Sequence, residues 1–375
     1  MRIGITCYPT YGGSGVVATE LGMELAARGH EIHFISYAPP ARMIADGQRI
    51  HFHEVEVVSY PLFDHPPYTL ALATKMLEVF ESESLDLLHV HYAIPHSVSA
   101  LLARSMAAPR RLPFITTLHG TDITLVGSNR SYLPITKFSI EQSDGVTSIS
   151  RYLLGQTLKE FDIKRPIEVI PNFVNCDLYS RAADKGLAGQ WAPNGEPILM
   201  HLSNFRPVKR VLDCIRILAE VRKSEPAHLL MAGDGPERGP AEHLARSLNV
   251  HQHVTFLGKQ NHVERLIPLA HVLLMPSEME SFGLVALEAM ACSVVPVTTR
   301  VGGVPELITD GEDGFLVEAG DIAGQAARVV ELLRDGDLHY RMSKAGRWNA
   351  SERFCTDRII PQYEKYYEDV VNAAV

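Results

Sequence analysis

Two carboxylates, Glu280 and Glu288, carry the clearest chemistry in the chain. Glu280 stands in a polar loop, residues 277–281, after a short apolar run at 272–275. Glu288 lies in the segment 282–291, rich in Ala, Leu, Met and Glu, among Leu284, Leu287 and Met290. The pattern predicts a buried strand, a loop, a helix over 282–291 and a second strand over 294–298. In such a βαβ unit a ligand sits outside the carboxyl ends of the strands. The helix start there offers unpaired N–H groups and a dipole that favours anions. Carboxylates accept hydrogen bonds from paired sugar hydroxyls. A helix rises about 1.5 Å per residue, so the two acids reach different parts of one extended ligand. The plain alternative is a loop acid and a solvated helix acid. The apolar neighbours of Glu288 weigh against it, because a buried acid needs partners.

Arg206 and Lys209 are the matching cations. They follow an apolar strand over 198–203 and precede a helical pattern. Arg offers a bidentate fork and Lys a point charge, which together suit a diphosphate. Cations at a helix start oppose the dipole, so a bound anion explains them better than solvent does. His119 ends the strand 114–118 and is followed by Gly120, Thr121 and Asp122. That turn reads either as a ligand-facing histidine or as a plain turn with Asp122 as helix N-cap. Gly12, Gly13, Ser14 and Gly15 link the strand 2–7 to a helical pattern. Glycine lets a backbone approach a phosphate or carboxylate, and it also builds tight turns. The run satisfies G-x-G-x-x-A, but the next strand, 31–36, ends in Ser-Tyr-Ala-Pro without the ribose-binding acid of a dinucleotide site. A nicotinamide cofactor is therefore not expected.

The element Glu280-Ser-Phe-Gly-Leu-Val-Ala-Leu-Glu288 resembles the E-x7-E motif of retaining glycosyltransferases of family 4. The resemblance implies a GT-B fold, two Rossmann-like α/β domains facing across a cleft, and runs along essentially the whole chain. It implies that Glu280 holds the donor sugar's hydroxyls, aided by backbone amides of Ser281, Phe282, Gly283 and Leu284. It gives Glu288 the ribose hydroxyls, Lys209 and Arg206 the diphosphate, and His119 a place beside the donor sugar. The family's Gly-Arg-x-x-x-x-Lys pattern fits Lys209, but Asn204 fills the usual Arg position and Arg206 stands two residues later. The turn Gly233-Asp234-Gly235-Pro236 resembles the family's G-x-G-P, and Gly258-Lys259-Gln260 the segment whose backbone reads the uracil. The glycine loop with Gly12 and Gly13 would meet the donor phosphates. Ser14, Tyr92 and Thr121 would hold the acceptor.

Four stretches match one branch of the family: Ile5 through Tyr11 to Gly15, His119-Gly120-Thr121-Asp122-Ile123-Thr124, Ile170-Pro171-Asn172-Phe173-Val174, and Ser203-Asn204-Phe205-Arg206. That branch joins N-acetylglucosamine from UDP-N-acetylglucosamine to the hydroxyl of L-malate, the opening step of bacillithiol synthesis. A family member with a sugar, lipid or inositol phosphate acceptor, or a UDP-sugar binder without catalysis, stays open at this point. No cofactor and no metal are expected.

The chain of 375 residues is long enough for two domains. The expected division is 1–170, 171–355 and a terminal helix over 356–375 that returns to the first domain. The net charge of −9 argues against a nucleic-acid partner. No apolar run is long enough to span a membrane, and the N-terminus reads as a strand, not a signal peptide. Five scattered cysteines without C-x-x-C suggest reduced thiols and a cytoplasmic setting. His51 with His53, and His89 with His91, have spacing that puts each pair on one strand face. With no acid or Cys cluster beside them, a metal site is not the favoured reading. A homo-oligomer is compatible with all of this.

Overall fold

The computed structural model describes residues 1–10, 12–43, 49–57, 65–124, 129–181 and 185–373. Tyr11 of the glycine loop and residues 182–184 of the expected interdomain run lie outside them. The chain divides into one unit of Met1–Asn172 with Ile359–Val375, and a second of Phe173–Arg358.

The first unit is built on seven parallel strands: β1 (Arg2–Thr6), β2 (Glu31–Ser36), β3 (Ile50–Glu54), β4 (Leu87–His91), β5 (Phe114–Leu118), β6 (Gly145–Ser148) and β7 (Glu168–Val169). Their order is β3-β2-β1-β4-β5-β6-β7. Every residue of β4, β5 and β6 is buried, as expected for parallel strands covered on both faces. The helix Tyr68–Glu83 sets Leu72, Met76, Val79 and Phe80 into a core with Val90 and Phe114. From the chain's end, the helix Thr356–Asn372 buries Ile360, Tyr363 and Tyr367. Its Tyr366 hydroxyl accepts from the N–H of Val146 at 2.8 Å and donates to the carbonyl of Val146 at 3.1 Å.

The second unit has six parallel strands: β8 (Ile198–Leu202), β9 (His228–Ala232), β10 (Val254–Gly258), β11 (Val272–Met275), β12 (Val295–Thr299) and β13 (Phe315–Val317). Their order is β10-β9-β8-β11-β12-β13. The amphipathic helix Val211–Val221 presents Cys214, Ile215, Ile217 and Leu218 to the core formed with Leu199, Val272 and Val297. In each sheet the strand order reverses once, between β1 and β4 and between β8 and β11. The crevice outside such a reversal is where open α/β sheets bind ligands.

Two local expectations are corrected. The helix expected from 282 begins at Leu284. Gly283 takes φ +96°, a left-handed conformation that suits glycine alone, so Phe282 stays in the loop. Asp122 does not cap a helix start from outside; it sits inside the short helix Thr121–Thr124. Its carboxylate accepts from the backbone N–H groups of Ala93, His119 and Gly120, tying the ends of β4 and β5 together.

Histidines run through the first unit's interior. His89 pairs with Thr117 at 2.6 Å and with the Tyr367 hydroxyl at 2.7 Å. His91 pairs with His119 at 2.8 Å, and a His96 ring nitrogen with the His91 carbonyl at 2.5 Å. The two H-x-H pairs are taken up in such bonds, and among the described residues no group of three His, Cys, Asp or Glu is placed to hold a metal ion. Burial pushes His89 and His119 down to about 3 and His96 down to about 4. In the second unit burial likewise brings His201 down to about 4.

The unfolded chain therefore takes up protons near pH 6.5 that the folded chain refuses until about pH 3–4. Stability is complete above pH 6.5 and falls as pH drops through the window below it. Thermal melting between pH 7.5 and 5 should show a steady fall in Tm, and His89→Gln should make the fall shallower. A Tm flat to pH 5 would contradict the neutral-histidine core.

Candidate active site

The second unit's site forms where β8 and β11 part. Met275 ends β11, and the loop after it carries Glu280. The loop after β8 carries Arg206 and Lys209, the latter closing the turn Pro207–Lys209. Lys209 Nζ donates to Glu280 Oε1 at 2.7 Å, and Ser277 Oγ donates to the same oxygen at 2.7 Å. Both partners of this ion pair are largely shielded from solvent. With both bonds on Oε1, the second oxygen of Glu280 is the one left to accept from a ligand. The loops are also joined by backbone, Glu278 N–H donating to Val208 O at 2.8 Å. Arg206 is exposed, and its side chain makes no ion pair or hydrogen bond to the described residues. A cation held unpaired beside a helix start is placed for an anion.

Glycines let these loops close. A Cβ on Gly302 would stand 1.8 Å from Glu280 O, and one on Gly303 would stand 2.3 Å from Ser281 O. A Cβ on Gly233 would meet Ser203 O at 1.8 Å and one on Gly235 would meet Asn204 O at 2.2 Å. The Gly233 turn thus seats the loop that bears Arg206 and Lys209. Gly283 heads the helix Leu284–Ala291, whose start no side chain caps; the first N–H groups of a helix suit an anion or a sugar oxygen. Lys259 is exposed on the loop after β10.

Glu288 is 3% exposed within that helix. Tyr179, fully buried, donates its hydroxyl to Glu288 Oε1 at 2.8 Å. The burial expected for this acid is thus accompanied by a specific partner.

The first unit's residues gather where β1 and β4 part. Gly12 caps the helix Gly13–Ala27 with no side-chain hydrogen bond. Ser14 Oγ donates to the Tyr92 hydroxyl at 2.9 Å. Tyr92 follows β4 at φ +91°, a strained setting for a non-glycine residue that is found chiefly where function or packing enforces it. Its ring lies 5.4 Å from that of His119, at the end of β5. Thr121 is exposed one turn further on. Ser14, Tyr92, His119 and Thr121 therefore occupy adjoining strand ends. His119 is neutral at physiological pH and is held by His91.

Comparison with known proteins agrees with these motifs. The family described as Glycosyltransferase Family 4 matches residues 11–178, and that described as Glycosyl transferases group 1 matches 188–348. The N-acetyl-alpha-D-glucosaminyl L-malate synthase of Bacillus anthracis is 46% identical over 99% of this chain and 97% of its own length. The chain belongs to glycosyltransferase family 4. Its fold is GT-B: a sucrose-phosphate synthase structure from Thermosynechococcus elongatus superposes with a TM-score of 0.80, at 22% identity, over 99% of both chains. The Anabaena HepE structure with UDP-glucose gives a TM-score of 0.80 at 18% identity, over 98% of this chain and all of that one. No helix among the described residues of this glycosyltransferase is long and apolar enough to cross a membrane.

Reasoning from sequence missed Tyr179 and His201. His201 is buried in β8, its Nδ1 bonded to Leu274 O at 2.9 Å and its Nε2 to Ser203 Oγ at 2.8 Å. Ser203 Oγ in turn accepts from Phe205 N–H at 3.2 Å. A lone histidine inside an apolar strand was the available signal for this relay. Nothing local pointed to Tyr179, which lies 109 residues from its partner.

A hydrogen bond to a charged group is worth roughly 1.5–3 kcal/mol. Tyr179→Phe should therefore weaken nucleotide binding by roughly tenfold at unchanged fold, read by calorimetry with UDP. Unchanged UDP affinity would show that Tyr179 does not set Glu288.

Proposed function

We propose that this glycosyltransferase moves N-acetylglucosamine, with retention, from UDP-N-acetylglucosamine to the hydroxyl of L-malate, the opening step of bacillithiol synthesis in the cytoplasm. The observation that carries the reading is the 46% identity, along essentially both full lengths, to the Bacillus anthracis malate synthase.

The residues fit the chemistry as follows. Glu288 takes the ribose hydroxyls, and the Gly258-Lys259 backbone reads the base. Glu280 takes the sugar hydroxyls through its available oxygen, with the N–H groups of Ser281, Phe282, Gly283 and Leu284 beside it. As the bond to the anomeric carbon lengthens, negative charge grows on the departing diphosphate. Arg206 and Lys209, the latter largely shielded, offset that charge, which stabilises the transition state more than the bound substrate. The helix start at Leu284 adds to the positive field. The leaving phosphate oxygen accepts the proton of the malate hydroxyl. No side-chain nucleophile and no metal is required, because the two cations carry the charge. Ser14, Tyr92 and Thr121 hold malate, whose carboxylates suit the amides of Gly13 and Ser14 and the neighbouring hydroxyls. His119, neutral, lies beside the donor sugar as a hydrogen-bonding group and not as a base.

Mass spectrometry of UDP-N-acetylglucosamine incubated with L-malate tests the reading. The conjugate should form, succinate and fumarate should give none, and EDTA should leave the rate unchanged. Product from a neutral sugar but not from malate would overturn the acceptor while leaving the donor site intact. Lys209→Ala should lower kcat by at least about a hundredfold, more than it raises the Kd for UDP. A rise in KM alone would make Lys209 a binding group only. Glu288→Gln should weaken UDP itself, whereas Glu280→Gln should weaken the intact sugar nucleotide and spare UDP. Equal losses in calorimetry would refute that division.

A further inference from the structure

Two imidazoles meet head to head at the strand ends of the first unit. His91 closes β4, and His119 directly follows β5. His91 Nδ1 and His119 Nε2 are 2.8 Å apart, whereas the ring centroids are 5.0 Å apart and the planes 27° from parallel. The two nitrogens therefore face each other edge to edge, as a bond from a ring N–H to a ring lone pair requires. One of them carries the proton. A neutral imidazole has a single N–H, so that choice fixes the remaining nitrogen of each ring.

The surroundings decide which. His91 is fully buried, and its Nε2 has no hydrogen-bond partner among the described residues. If His119 Nε2 were the donor, His91 would carry its own proton on Nε2, a buried N–H without an acceptor. Orphaned buried N–H groups are rarer in folded proteins than under-satisfied acceptors. If His91 Nδ1 is the donor, only a bare ring nitrogen is left in the interior. The same interior already holds one. His96 Nδ1 faces a carbonyl, His91 O, at 2.5 Å, so it must carry the ring's proton, and His96 Nε2 is buried without a partner. His119 is placed differently. It keeps 8% exposure where His91 has none, and its Nδ1 bonds to none of the described residues. Its backbone N–H is tied to Asp122 Oδ1 at 3.2 Å, which steadies the ring's base.

We propose that His91 is a positioning residue that holds His119 in its Nδ1–H form, so that the exposed edge of His119 offers the bound sugar a hydrogen-bond donor and not an acceptor. This rests on the reading that places His119 beside the donor sugar. Burial keeps both rings neutral, which preserves one proton per ring. The sugar oxygen facing His119 then accepts, and its own hydrogen turns to another partner. Nδ1, already protonated, cannot take a proton from an attacking hydroxyl, so the fold itself bars this histidine from acting as a base through that atom.

Long-range proton–nitrogen NMR of the full-length protein with isotope-labelled histidine reads the tautomer directly and needs no substrate. The His119 signals, assigned by their loss in His119→Gln, should show a protonated Nδ1 and a bare Nε2. A protonated Nε2 on His119 would overturn the proposal. In transfer from UDP-N-acetylglucosamine to L-malate, His91→Phe should lower kcat about tenfold, the worth of one hydrogen bond, with the Kd for UDP unchanged. His91→Gln, whose amide N–H still donates to His119 Nε2, should recover to within about threefold of the native rate. A glutamine variant as slow as the phenylalanine one, or a phenylalanine variant at full rate, would overturn the role of the bond. Adding His91→Phe to His119→Phe should slow the enzyme no further, and additive losses would show that His91 acts by another route. A native protein that binds UDP-N-acetylglucosamine yet gives no product with malate would count against the proposed function, while the NMR result would still decide the tautomer.

Discussion

The second unit is arranged around a single shielded ion pair, Lys209 with Glu280. It spans the point where the strand order turns back, joining the loop after β8 to the loop after β11. A pair drawn out of water adds little net stability, yet removing one partner leaves a stranded charge. Its worth lies in geometry, and the neighbouring backbone is built to fix it. On one side His201, Ser203 and Phe205 form a relay that holds the β8 loop. On the other, Gly302 and Gly303 let the chain after β12 press against the backbone of Glu280 and Ser281. Ser277 supplies the second donor to the acid. The carboxylate of Glu280 thus holds the charge of Lys209 at a defined point of the fold.

The first unit repeats the topology with different chemistry. At its own reversal the spanning contact is neutral, Ser14 with Tyr92, and the surrounding imidazoles are uncharged. Desolvation decides this: four buried histidines in mutual contact cannot share protons, and each is pushed to its neutral form. One sheet end thus presents fixed charge and the other presents hydroxyls and imidazole. The difference follows from what each interior buries. Apolar strands with a carboxylate loop make the former, and strands reading His-Val-His and Thr-Thr make the latter.

What was legible in the sequence was set by range. The strands 31–36, 114–118 and 272–275 were read with the boundaries the structure has, because each is a short apolar run closed by turn residues. Glu280, Glu288, Arg206 and Lys209 were legible by type and spacing, and the nearness of Lys209 to Glu280 follows from strand order once the fold is known. β7 and β13, of two and three residues, give too short a pattern to read. The helix start at 284 was missed because the run 282–291 shows no break by residue type, and the φ of Gly283 is what breaks it. Tyr179 acts on a partner far along the chain, and no local pattern encodes such a contact. A cap at Asp122 was one of two readings of its turn, and only the fold shows its second oxygen reaching Ala93 on the neighbouring strand end.

The departure at the family's arginine position also finds a physical reason. Asn204 is exposed, but its carbonyl faces Gly235 so closely that no Cβ fits between them. Residue 204 is therefore a backbone contact for the β9 turn. Phe205, the next residue, is fully buried at φ +43°, a left-handed turn that a phenylalanine adopts only when its surroundings hold it there. Its N–H is fixed by Ser203 and its carbonyl accepts from Glu237 N–H at 3.0 Å. That anchored turn delivers Arg206 to the surface at the cap of the turn Pro207–Lys209. A guanidinium on a long stem needs a stiff base to act as a fork. Here the stiffness comes from a buried aromatic ring and a relay running back to His201, so the cation moves two residues along the chain without losing a defined starting point.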